Sequence, residues 1–105
     1  MVRLIVQEDG DARGFRVGAG KLSIGSGERA RLRLKSEGVA VHHAELVIAE
    51  DGAVVLRPAP GVTPPTLAGK PVGGETAVAL GGQIVIGGAV ITVQDELLSE
   101  VVNII

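Results

Sequence analysis

Residues 22–35 read Leu22-Ser23-Ile24-Gly25-Ser26-Gly27-Glu28-Arg29-Ala30-Arg31-Leu32-Arg33-Leu34-Lys35. The last five alternate strictly, base then leucine. In an extended chain that puts both leucines on one face and three cations on the other. Gly25-Ser26-Gly27 separates this run from the apolar one before it with residues suited to a tight turn. The segment therefore reads as strand, turn and strand.

Working outward, the same two-residue rhythm or a short apolar run recurs at residues 2–7, 15–17, 21–24, 44–48, 53–57, 78–80, 83–86 and 89–93. Asp9-Gly10, Asp51-Gly52, Gly81-Gly82 and Gly87-Gly88 punctuate them, and glycine tolerates the positive φ that hairpin turns need. Many short strands at this spacing predict an all-β fold, an antiparallel β-sandwich of about eleven short strands. Phe15 is the single aromatic residue, so the core must come from Val, Ile, Leu and Ala. Two stretches break the rhythm. Residues 58–71 hold all five prolines and are expected to form one long extended loop, since proline cannot donate to a sheet ladder. From Asp95, read as an N-cap, the apolar residues Leu97, Leu98, Val101, Val102 and Ile105 fall on one helical stripe. The expectation is a sandwich domain over residues 1–94 and a short C-terminal helical tail over residues 95–105.

At 105 residues the chain has the length of one domain. It has no cysteine, which excludes a disulfide framework, a zinc–thiolate site and thiol catalysis. The net charge of −2 hides an uneven layout. Between Ala12 and Lys35 seven bases face one acid, a local balance of +6. The remainder, with three bases against eleven acids, carries −8. Such asymmetry favours an acidic partner on one side. Nucleic acid is not expected, because a single phenylalanine offers little for base stacking. Residues 76–93 carry no charge and are nearly long enough to span a bilayer, but the paired glycines mark them as short strands, and no membrane partner is expected. The N-terminal apolar run stops at Glu8, too soon for a targeting segment, and a cytoplasmic location is expected.

Catalytic and metal signals are weak. Neighbouring strand residues point to opposite faces, so His42 and His43 are not expected to share an ion, and no metal or cofactor is assigned. Gly25-x-Gly27-x-x-Ala30 formally fits a dinucleotide-binding pattern, but a strand follows it where that pattern needs a helix. The acid pairs Glu8-Asp9 and Glu50-Asp51 fall in expected hairpin turns, where turn chemistry accounts for them. No enzyme activity is expected.

Four motifs in order resemble the forkhead-associated (FHA) family, a β-sandwich that reads phosphothreonine peptides through loops at one end. Residues 22–34 are similar to its "I-G-R" strand and the alternating strand after it. Val39-Ala40-Val41-His42-His43-Ala44-Glu45-Leu46 resembles "V-S-x-x-H-A-x-I". Leu67-Ala68-Gly69-Lys70-Pro71-Val72 resembles "V-N-G-x-x-V", and Leu80-Gly81-Gly82-Gln83-Ile84-Val85-Ile86-Gly87 the closing "L-x-x-G-D-x-I-x-I-G". The resemblance covers residues 2–93. It implies that the loops 24–30, 35–43 and 63–72 share one end of the sandwich. It also implies structural roles for Gly25 at a tight turn, His43 bracing the loops and Gly69 in the last loop.

The departures fall on the binding positions. In the family an arginine after the first glycine and a serine three residues before the histidine engage the phosphate, and an asparagine holds the peptide backbone. Here those positions are Ser26, Ala40 and, in the register set by Gly69, Thr63; a second family asparagine becomes Ala68. Hydrogen bonds to a charged group contribute about 1.5–3 kcal/mol each, so two losses imply roughly 10²–10⁴-fold weaker phosphopeptide binding. The expected function is a phosphate-independent protein-interaction module whose partner meets Ser26, Arg29, Arg31, Ala40, Val41, Thr63 and Ala68. Two alternatives stand beside it. In the first, Arg29, Arg31 or Lys35, or the backbone N–H groups of the Gly25-Ser26-Gly27 turn, replace the missing grip on a phosphothreonine. In the second, the chain is a structural domain that associates with itself through residues 95–105 or an edge strand.

Overall fold

The computed structural model describes residues 2–95. Eleven strands follow one another: β1 (Val2–Glu8), β2 (Asp11–Val17), β3 (Gly20–Gly25), β4 (Leu32–Arg33), β5 (Ala44–Ile48), β6 (Val54–Pro58), β7 (Thr66–Leu67), β8 (Lys70–Pro71), β9 (Thr76–Val78), β10 (Gln83–Ile86) and β11 (Ala89–Asp95). They form two sheets, one ordered β2-β1-β11-β10-β7-β8 and the other β4-β3-β5-β6-β9. Alternation along the strands puts one side of each sheet inward, as Val2, Leu4 and Val6 of β1 against Leu46 and Ile48 of β5, all buried. The buried hydrophobic residues are Val, Leu, Ile and Ala, as the near absence of aromatics requires.

Turn chemistry sets the registers. Asp9 and Gly10 both have positive φ, and Glu8 pairs directly with Asp11, the two-residue loop that matches strand twist. Ala68-Gly69 makes the same kind of turn between Leu67 and Lys70. Residues 58–71 are thus not one continuous loop. They contain the small β7–β8 hairpin, which tolerates Pro71 because β8 is the outermost strand of its sheet. One further expectation is corrected. The run at 31–35 forms a strand only at Leu32–Arg33, and it pairs parallel with β3, so the sandwich is not wholly antiparallel. Leu32 and Leu34 are nevertheless both buried, as the alternation predicts. Asp95, the expected N-cap of the tail helix, ends strand β11 opposite Val2. The rest of the expected tail helix, residues 96–105, lies outside the described residues. The uncharged stretch 76–93 becomes β9, β10 and most of β11. No helix among the described residues is long and apolar enough to cross a membrane.

Candidate functional site

The segment 34–43 crosses the end of β3 and closes one end of the sandwich. Gly25 must be glycine for lack of room: a Cβ there would overlap the Val41 carbonyl oxygen. On Gly27 a Cβ would stand 2.6 Å from Val41 Cγ1. This close approach lets the Ser26 N–H donate to the Ala40 carbonyl (2.9 Å) and the Gly27 N–H to the Val41 carbonyl (3.1 Å). The His43 N–H completes the junction with the Ile24 carbonyl at 2.9 Å.

His43 is 2% exposed, and its ring ties two loops together. Its Nδ1 accepts from the Ala40 N–H at 3.0 Å, and its Nε2 lies 2.9 Å from the Thr63 carbonyl oxygen. A carbonyl can only accept, so the ring carries its proton on Nε2 and is neutral, the tautomer both partners require. His42, beside it, points to solvent.

Gly25, Ser26, Ala40, Val41, His43 and Thr63 are therefore brought together. Ala68 and Gly69 are not. The Ala68 N–H reaches the Gln83 carbonyl at the start of β10, whereas the other end of β10 runs into Gly87, packed on Gly38 of the crossing loop. The β7–β8 turn therefore points away from the His43 loops, correcting the expectation that residues 63–72 sit wholly at that end. Arg31 is also turned aside. Its Nη1 donates to the Lys21 carbonyl (3.3 Å), back along β3, and its N–H to Ser23 Oγ (3.0 Å). The substitute anion nest is closed as well, because the Ser26 and Gly27 amides already serve Ala40 and Val41. Arg29 remains exposed, beside an open depression of about 540 Å³ between the 27–30 turn and Val41-His42. Val41 stands 73% exposed at its edge. An exposed valine ringed by Arg29, His42 and Glu28 suits an apolar side chain with polar surroundings, as at protein interfaces.

One buried polar group was not foreseen. The Glu8 side chain is 3% exposed and receives the Lys35 N–H at 3.0 Å, the Ser36 N–H at 3.2 Å and Ser36 Oγ at 3.1 Å, with Arg13 Nη2 at 3.2 Å. It pins the crossing loop to the β1–β2 hairpin. Burial alone would raise its carboxyl, but the donors from Lys35, Ser36 and Arg13 outweigh that and hold it below the usual glutamate value.

No family model and no curated protein matches the chain. Solved structures do. An FHA domain solved in work on phosphothreonine-dependent FHA domain interactions is 30% identical, with a TM-score of 0.77 over 89% of this chain and 94% of the other. The chain belongs to the FHA family. The FhaA FHA domain, solved with the intracellular domain of Rv3910, is 29% identical, with a TM-score of 0.79 over 90% of this chain and 100% of that one. The FHA domain of CT664 from Chlamydia trachomatis, at 16% identity, shares the fold with a TM-score of 0.83 over 90% and 96%. As an FHA domain the chain is a protein-interaction module.

Proposed function

We propose that this FHA domain binds a protein partner through its His43-braced loops without reading phosphate. One observation carries the reading. Where the family resemblance expects an arginine and a serine to grip the phosphate there are Ser26 and Ala40, and the Ser26 and Gly27 amides that could substitute are already hydrogen-bonded within the domain. A phosphothreonine brings about −1.5 to −2 charges and three strong acceptors. Donors that are already bonded must be freed before they can serve it. What the loops offer instead is the exposed Val41 beside the open depression.

The relatives support a protein partner: one was solved with the intracellular domain of Rv3910, and another in work on phosphothreonine-dependent interactions. A second reading has one observation in its favour, the exposed Arg29 guanidinium at the edge of the same depression. Titration with phosphothreonine peptides and their unphosphorylated twins separates the two. Equal affinity for both twins is expected; a phosphate-dependent gain of tenfold or so that Arg29→Gln abolishes would overturn the proposal in favour of the second reading.

A further inference from the structure

The flank where strands β2 and β4 lie carries a second surface, separate from the His43 loops. Directly opposed residues of an antiparallel ladder share a face. Arg13, Phe15 and Val17 of β2, opposed to Val6, Leu4 and Val2, therefore turn toward the other sheet. On this flank the other sheet ends at β4. The two edges are clasped where Arg13 Nη2 donates to the Arg33 carbonyl at 2.9 Å. Farther along β2 a groove of about 170 Å³ opens between them, floored by Leu4, Val17, Leu22 and Leu32 and walled by Phe15. Phe15, the only aromatic residue, is 39% exposed although it sits on the inward face. Apolar surface thus runs out of the core to solvent.

The rim is basic. Arg16 and Arg31 line the groove, Lys21 sits beside Arg31 through its carbonyl, and residues 12–27 contain no acid at all. Here part of the +6 segment takes on a shape: two of its seven bases, Arg16 and Arg31, border an apolar slot along an edge strand. β2 is the last strand of its sheet, with one side of its backbone open to a further strand. Two copies meeting symmetrically at this flank would bring like charges together, which disfavours a second copy as the occupant.

We propose that this groove takes an extended acidic segment of another protein. A branched aliphatic side chain sits against Phe15, and a flanking carboxylate meets Arg31 at the rim. The surface is independent of the His43 loops and of whether those loops read phosphate.

The test is amide chemical-shift mapping on the full chain. The probe is the acetylated octapeptide Glu-Asp-Glu-Leu-Glu-Ile-Asp-Glu, and its twin has lysine at every acidic position. The acidic peptide is expected to bind saturably, to shift residues 15–18, 22 and 31–32, and to weaken about tenfold between low and 0.5 M salt. Arg31→Glu and Phe15→Ala should each weaken it by about tenfold, while Lys70→Glu, on strand β8, leaves it unchanged. Should Phe15→Ala fail to fold, Arg31→Glu alone carries the comparison. The proposal is overturned by absence of saturable binding, by equal binding of the lysine twin, or by shifts confined to residues 25–29 and 40–43. Groove shifts that grow with protein concentration before any peptide is added would overturn it too, in favour of a second copy.

Discussion

Ala68 holds a conformation that its own side chain opposes. Its φ is +52°, where an L-residue with a Cβ costs about 1–2 kcal/mol and where asparagine and glycine are at home. The residue is exposed, so no buried contact compensates. Ala68→Asn is expected to stabilise the domain by about 1 kcal/mol, raising Tm by roughly 4–8 °C. A thermal melt of the two proteins checks it. Gly25 is the opposite case, since its φ is not positive and the Val41 carbonyl, with the Ala40 carbonyl oxygen beside it, excludes a side chain. Gly25→Ala should cost roughly 3 kcal/mol, because backbone rather than a flexible side chain must move, and denaturant unfolding would read it. The family pattern announced both positions. Sequence could not tell that one glycine answers to crowding and the other alanine to dihedral strain, which only the path of residues 40–41 and the Leu67–Lys70 register decide.

At the scale of elements, the β1–β2 hairpin and the loop that carries Ser36 are joined by Glu8. A lowered carboxyl means that the folded chain holds this proton less tightly than the unfolded chain does. The stabilisation is therefore complete above the unfolded value near 4.3 and is lost as pH falls through the folded one. Glu8→Gln should cost about 2 kcal/mol at pH 7 and progressively less as pH falls below the unfolded value, as the native carboxyl takes up its proton. Urea midpoints of both proteins across that range test the sign. Glu8 also shows where sequence reading stops. Alternation and Asp9-Gly10 were enough to place the turn, but the Lys35 and Ser36 partners of Glu8 lie 27 and 28 residues away and leave no periodic trace. The β7–β8 hairpin was hidden differently: the five prolines spoke for a loop, while Pro71 needs no ladder partner on its outer edge. Likewise the 31–35 run kept its inward leucines but its strand shrank to two residues, because beyond Leu34 the Lys35 and Ser36 amides turn to Glu8 and away from β3.

For the molecule as a whole, frame and chemistry separate. The two-layered aliphatic core, the Gly25 crossing and the His43 brace define the end of the sandwich without any residue that must touch a ligand. On the proposed reading, phosphate recognition is missing for want of side chains and not for want of a scaffold. Ser26→Arg combined with Ala40→Ser should therefore create phosphate-dependent binding where there was none. Two hydrogen bonds to a charged group, at about 1.5–3 kcal/mol each, predict a gain of roughly 10²–10⁴-fold for a phosphothreonine peptide over its unphosphorylated twin. Neither change disturbs the existing junction, since Ser26 and Ala40 contribute to it through backbone atoms alone. Calorimetric titration of the double variant, with its Tm as the control for folding, reads the result. A folded double variant that still treats both twins alike would place the deficiency in the shape of the loops: the 40–41 segment, drawn tight over Gly25 and Gly27, would then leave no room for the anion.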